Sequence, residues 1–265
     1  MKKSALTKVL VVLLCVAAAM AFSACGKSDS AKKADSKTYI VTTEATFPPF
    51  DTTNKKGEFD GLDRDLMDAI AKDQGLTLKY KMTKFDSLIP DIQAGSADII
   101  AAGMNSEDKE RREKIDFSKP YYDSGLVVMV KKDNETIKGI GDLTADMKAA
   151  SQTGTSGAKV VQKLKKDGKL KKAVLLGGFN ECVQQLNNGD VNAIIIDKPV
   201  AENYMNKQPG KFKAVGKVLN AEAFAFGVKK GNKELLDKIN AGLDNIIKSG
   251  EFQKICKKWK VDSKY

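Results

Sequence analysis

Arg111 and Asp197 are the side chains whose type and setting offer chemistry. Arg111 follows an apolar run, Ile99-Ile100-Ala101-Ala102, that reads as a short strand buried on both faces and stops at Gly103. A glycine there lets something approach the backbone closely. Asn105 or Ser106 then offers an N-cap, Glu107 and Asp108 stand where a helix dipole favours acids, and Arg111 comes about one turn later. A strand end, free N–H groups and an arginine fork together make a carboxylate site. On this segment alone, the favoured reading of Arg111 and Arg112 is as solvated charges on a helix rich in both signs. Asp197 closes a strand of isoleucines just before Pro199, where an acid needs a partner or caps the next helix. Gly154 and Gly157 flank Thr155 in a turn that resembles an anion-binding nest.

The chain contains no histidine, which excludes Ser-His-Asp, Cys-His and histidine-metal sites together. The sequence predicts no catalytic residue, no cofactor and no metal.

The elements that must position these groups follow an export signal. Lys2, Lys3 and Lys8 precede an apolar run from Val9 to Phe22, then Ser23-Ala24-Cys25. The small pair before Cys25 resembles a bacterial lipobox, with Phe22 in the usual leucine position, so residues 1–24 are expected to be removed and Cys25 lipidated. Residues 26–37 contain nothing apolar larger than alanine and read as a solvated tether. Of 265 residues 241 remain, enough for one large domain or two lobes with their own cores, and net charge falls from +11 to about +8 with three lysines gone. The lysines are scattered among acids with no aromatic-interleaved basic stripe, so nucleic acid is not an expected partner. Cys182 and Cys256 are expected to be free thiols.

Beyond the tether, periodicity predicts a strand from Tyr39, a helix from Leu62 to Gln74 stopped by Gly75, and a strand from Leu76 to Met82. A short helix capped by Asp86 and ended by Gly95 follows, then the strand opening at Ile99. A strand spans Gly125–Val130, and alternation resumes: strands at Met147–Ser151, Val174–Leu176 and Val191–Ile196, helices at Gly157–Lys166, Asn180–Asn188 and from Pro199. A strand at Phe224–Val228 precedes helices at Asn232–Lys248 and Phe252–Trp259. The class is α/β, with crossovers that imply a mainly parallel sheet. Gly103, Gly154 and Asp197 all fall at strand C-terminal ends, where such sheets bind ligands.

YIVTTEATFPPF, GEFDGLDRDL, SLIPDIQAGSADIIAAGM, KIDFSKPYYDSGLVVMV, VNAIIIDKPVA and SGEFQKICKKW resemble, in order and spacing from Tyr39 to Lys260, the polar amino-acid-binding proteins of bacterial ABC importers. The resemblance is to extracellular solute-binding protein family 3, lipoprotein type. It implies a two-lobed periplasmic-binding-protein-like (type II) fold closing on one amino acid. Lobe one would be 38–126 plus 224–265 and lobe two 127–223, with crossings near Gly125–Lys131 and Ala221–Gly227. Carried over by position, Phe47 and Phe85 would sandwich the ligand side chain. Gly103 and Asn105 would meet its charged ends. Arg111, counted back from Asp116 with Arg112 as the alternative, would clamp the carboxylate with Ser156 and Thr155, and Asp197 would hold the ammonium. A zwitterion taken out of water needs both charges met in this way.

Phe47, in a loop before Pro48-Pro49, is expected to be exposed in the cleft. Glu44 would favour a guanidinium, ammonium or amide at the ligand's far end, and Gln152 would add hydrogen bonding. That favours arginine, lysine or ornithine, then glutamine, with cystine retained. The expected partners are a free amino acid, an ABC permease and the outer face of the cell membrane through Cys25, for a monomer. Two rival readings remain: a lyase or dehydratase using Glu44 as acid/base, and a ligand-sensing module for a membrane partner.

Overall fold

A computed structural model describes residues 37–263 and 265; the export signal, the lipidation site Cys25 and nearly all of the tether lie outside the described residues. In chain order the elements are β1 (Thr38–Thr43), β2 (Thr52–Thr53), β3 (Phe59–Asp60), α1 (Leu62–Gln74), β4 (Thr77–Met82), α2 (Leu88–Ala94), β5 (Ile99–Ile100), α3 (Lys109–Lys114), β6 (Ile115–Phe117) and β7 (Tyr122–Ser124). Then come β8 (Leu126–Lys131), β9 (Lys148–Gln152), α4 (Ser156–Lys166), β10 (Lys172–Leu176), α5 (Phe179–Asn188), β11 (Ala193–Asp197), α6 (Lys198–Lys207) and β12 (Phe212–Val215). The chain closes with β13 (Glu222–Phe224), β14 (Gly227–Lys229), α7 (Lys233–Lys248) and α8 (Glu251–Trp259).

These form two α/β lobes, each on a five-stranded sheet. The first has strand order β4-β1-β5-β14-β6 and the second β10-β9-β11-β8-β12. In both, the first three strands pair parallel and the last two add antiparallel. The expected mainly parallel sheet is therefore corrected to a mixed one. Helical connections join β1, β4 and β5 and lead on through α3 to β6, and likewise join β9, β10 and β11 and lead on through α6 to β12. The strands β8 and β14 enter from the opposite direction because the chain reaches them by passing between the lobes. It does so twice, along an antiparallel ribbon in which Glu222 pairs with Ser124 and Phe224 with Tyr122.

Local chemistry explains the elements. In α1, Leu62, Leu66 and Ile70 share the buried face, and Gly75 ends the helix in the left-handed region at φ 63°. That face packs on α7, where Gly242 gives close approach: a Cβ there would lie 2.8 Å from Ile70 Cγ2. Strand β8 is apolar throughout because both faces are covered. Leu126, Val128 and Val130 face Val161 and Ile195, while Val127 and Met129 belong to the cluster holding Phe179 and Leu186.

Several boundaries shift by one or two residues, and three differ in kind. Ser87, not Asp86, precedes α2, and it makes no side-chain cap. Helix α3 begins only after Asp108, whose carboxylate accepts from the Arg111 N–H at 3.2 Å; Asn105 instead accepts from Glu107 N in a turn. The stretch 224–228 splits into β13 and β14, which belong to different sheets. No helix among the described residues is long and apolar enough to cross a membrane.

Candidate functional site

The ends of the parallel strands of both sheets meet the ribbon at a small cavity. It is lined by Phe47, Phe85, Gly103, Asn105, Arg111, Thr155, Ser156, Asp197 and Glu222. Eight of the ten expected site residues thus come together. Glu44 and Gln152 stand outside this lining, and Glu222 joins it unforeseen.

Arg111 is only 6% exposed. It donates to the Asn105 carbonyl at 3.3 Å and to the Gly154 carbonyl of the other lobe at 3.0 Å, with its guanidinium 5.3 Å from the centre of the Phe85 ring. Burial works against its charge, which Asp108, Glu222, Asp197 and Glu110 support. Arg112 points out of the cavity, donating to the Ser106 carbonyl and to Glu107, and is half exposed. The one-residue difference decides which arginine faces the site, because successive helical side chains point about 100° apart.

Gly103 lies at φ 50°, and a Cβ on it would stand 2.5 Å from Phe47 Cε1. The close approach anticipated at this glycine is therefore made by the Phe47 ring. Its N–H donates to Asp63 at 2.8 Å, and Asp63 also accepts from the Tyr121 hydroxyl at 2.7 Å. Phe47 itself is buried at 6% exposure, correcting the expectation of an exposed ring. The turn at Pro48-Pro49 folds it against Phe50, Phe179 and Phe224, with ring centres 5.7–5.9 Å apart.

From the second lobe, Thr155 caps α4: its hydroxyl accepts from Ala158 N at 3.1 Å and donates to the Gln152 carbonyl at 2.7 Å. Ser156 Oγ accepts from Asn105 Nδ2 at 3.4 Å, which makes Asn105 another link between lobes. Asp197 occupies the N-cap position of α6 without making a side-chain cap, so its carboxyl is left for the cavity. Burial, then the neighbouring Glu222 carboxyl, push it well above the usual carboxylate range, and Arg111 opposes them.

Glu44 and Gln152 lie together. Burial raises the Glu44 carboxyl, while Gln152 and Thr46 bond to it and hold it down. Gln152 Nε2 donates to the Gly177 carbonyl at 3.1 Å. One oxygen of each, Glu44 Oε2 and Gln152 Oε1, is buried without a donor. They sit on the two segments, 44–47 and 152–155, that supply Phe47 and Thr155 to the cavity.

Sequence reasoning misses Glu222, although the stretch Glu222-Ala-Phe-Ala-Phe226 carries a signal. Period-two alternation puts the acid in register with two phenylalanines that are fully buried, a costly place for a carboxylate without a partner. The arrangement sets a buried guanidinium and two neighbouring acids against aromatic walls, around a space of about 10 Å³ that has room for about one water.

The model for bacterial extracellular solute-binding proteins, family 3, matches residues 39–262. A probable histidine-binding protein of Neisseria gonorrhoeae is 32% identical over 247 residues, covering 91% of each chain. Among solved structures, an ancestral arginine-binding protein bound to arginine is 39% identical with a TM-score of 0.79, over 84% of this chain and 97% of that one. An ancestral arginine-binding protein bound to glutamine gives 38%, 0.78 and the same coverage. An ancestral amino acid-binding protein described as a precursor of cyclohexadienyl dehydratase is 34% identical with a TM-score of 0.77, over 84% and 95% of the two chains.

Proposed function

Because the chain belongs to the bacterial extracellular solute-binding proteins, family 3, we propose that it captures a polar amino acid outside the cytoplasm and delivers it to an ABC permease. The observation that carries this reading is the one cavity lined by Arg111 from one lobe, Asp197 from the other and Glu222 from the ribbon between them. Arg111 takes the ligand carboxylate and Asp197 the ammonium, with Asn105, Thr155 and Ser156 supplying further polar contacts. Phe47 and Phe85 form the apolar walls. The lobes we assign are 38–126 plus 224–265 and 127–223. They close on the ligand, and the closed form is what the permease recognises. The mature protein is held at the outer face of the membrane by lipid on Cys25 and works as a monomer.

The ligand we favour is a basic amino acid. Glu44 Oε2 and Gln152 Oε1 are acceptors lacking donors, and a guanidinium carries five N–H groups to fill them. Glutamine, whose amide offers two, comes next. The names of the relatives, which include arginine, glutamine and histidine as ligands, support this class. No bond is made or broken in this reading.

The test is calorimetric titration of residues 27–265, stripped of carried-over ligand by unfolding and refolding, against the twenty amino acids, ornithine and cystine. Binding of a basic amino acid that is lost in Glu44→Gln supports the reading to the level of the selectivity residue. Binding of glutamine or cystine alone keeps the transport role and overturns the part given to Glu44. Conversion of a ligand during the titration would make the protein an enzyme.

A further inference from the structure

Helix α5 starts after Gly178, which has no side chain to cap it. The first N–H groups of a helix have no partner within it and must find one elsewhere. Glu181 N finds one locally, donating to Asn180 Oδ1 at 2.9 Å. Phe179 N instead donates to Thr46 Oγ1 at 3.0 Å, a residue 133 positions earlier in the chain and on the first lobe. A threonine hydroxyl is a preferred acceptor at a helix start, but it normally belongs to the residue just before the helix. Here the other lobe supplies it.

Three further contacts converge on the same segment. Glycine at 178 lets Thr46 in: a Cβ there would lie 2.7 Å from Thr46 Oγ1 and 2.9 Å from its Cγ2. The Tyr204 hydroxyl, from α6 of the second lobe, donates to the Thr46 carbonyl at 3.4 Å. The next residue, Phe47, packs its ring 5.8 Å from that of Phe179 and is also a wall of the cavity. Residues 46 and 47 thus meet α5 and α6 through a hydroxyl, a carbonyl and a ring. The contacts of Arg111 with Gly154 and of Asn105 with Ser156 join other segments, α3 and its approach to the start of α4. Thr46 is a separate point of attachment between the lobes.

We propose that Thr46 is a positioning residue for ligand binding: its hydroxyl caps α5 from the opposite lobe when the lobes close, and this holds Phe47 in place as a wall of the cavity. The proposal rests on the two-lobed amino-acid-binding reading above. When the lobes part, the Phe179 N–H and the Thr46 hydroxyl both turn to water, so the open form loses little by their separation. A bond made only in the closed form raises affinity by shifting the population toward that form. A helix cap of this kind shifts such an equilibrium by about two- to thirtyfold.

The test has two arms on the whole mature protein. The first needs no ligand. Thr46→Cys combined with Gly178→Cys puts two thiols where the glycine Cβ and the threonine hydroxyl approach, within reach of a disulfide. Under mild oxidation a cross-linked pair of peptides is expected by mass spectrometry, and its absence from the folded double variant overturns the proposal. The second arm measures arginine affinity and dissociation rate in wild type, Thr46→Val and Thr46→Ser. Valine keeps the shape and removes the hydroxyl, whereas serine keeps the hydroxyl. Thr46→Val should bind about two- to thirtyfold more weakly, chiefly through faster dissociation, with the melting temperature of the ligand-free protein unchanged. Thr46→Ser should recover most of that loss. Wild-type affinity in Thr46→Val, or equal losses in both variants, overturns the proposal. So does a loss matched by a lower ligand-free melting temperature, which marks a residue that only builds its own lobe. Should no amino acid bind at all, the transport reading fails, and the first arm alone decides whether Thr46 reaches α5 across the lobes.

Discussion

The Arg111 guanidinium donates to the backbone carbonyl of Gly154 at 3.0 Å, so a side chain of the first lobe is held by the main chain of the second. The same group lies over Phe85 and beside Asn105, which itself reaches Ser156 across the cleft. In the function proposed above, closure and ligand capture would share this one residue. Replacing Arg111 by Ala should weaken binding by about 2–5 kcal/mol, at least a thirtyfold loss of affinity, since the ligand carboxylate would be buried unpaired. Arg111→Lys should recover little, because a lysine cannot make the planar, two-pronged contact. Titration calorimetry with a thermal melt of the free protein reads both affinity and fold; full affinity in Arg111→Ala would contradict the site.

At the rim of the cleft, Lys159 of α4 bridges Asp108 and Glu110 of the first lobe, at 2.7 Å each. Against the upward pull of burial, Lys159 and the Arg111 N–H hold the Asp108 carboxyl low. The bridge is partly solvated, so its worth is about 0.2–1 kcal/mol. Lys159→Ala should weaken ligand binding by about fivefold at most, and should flatten its dependence on salt. Affinities at low and high ionic strength in both proteins check this.

Gly103→Ala should destabilise the protein by about 1–3 kcal/mol, through the left-handed φ of 50° and the collision with the Phe47 ring 2.5 Å away. Urea unfolding measures the cost. Binding should weaken as well, since Phe47 is a wall of the cavity and has three aromatic neighbours to disturb.

Burial pushes the Asp63 carboxyl up to about 7, although the Gly103 N–H and the Tyr121 hydroxyl both favour its charge. A folded-state value above the unfolded one contributes stability that is complete at acid pH and lost as pH rises, gone once pH passes about 7. The loss is up to about 1.4 kcal/mol per pH unit in between. Asp63→Asn should make the unfolding free energy less steep between about pH 5 and 7.5 than in wild type, as measured by denaturant titration.

Cys182 and Cys256 are both buried as free thiols, with burial pushing them up to about 12 and about 11. Neither should react with an alkylating reagent at neutral pH until the protein is unfolded. Mass spectrometry before and after denaturation, with and without reductant, reads the added mass. A disulfide found in the mature protein would contradict this.

Much of the fold is legible from periodicity. The helix Leu62–Gln74 has the bounds its sequence predicts, because its apolar face repeats every four residues and Gly75 can take the left-handed stop. The short strands β6, β7 and β12 escape such reading, because three or four residues are too few to show a period, and their pairing partners lie far away in sequence. The start of α3 is misplaced at Asn105 or Ser106 because the Asn105 side chain is used in a turn and across the cleft, and the Ser106 hydroxyl donates to the Ala223 carbonyl. Several polar residues there could each cap a helix, and only the surrounding fold selects Asp108.

The residue types and their order along the chain determined the α/β class and the two lobes. They also determined that the chemistry had to come from arginine and acids, since histidine is missing. These are local properties, written in spacing and composition. Tertiary structure alone decided that Arg111 and not Arg112 faces the cavity, that Phe47 is buried against Gly103, and that Glu222 joins Asp197. Each depends on two segments distant in sequence meeting at one point, and the two acids that share a site stand 25 positions apart. Distances of that kind are set by packing and the closing of the lobes, which no local pattern encodes.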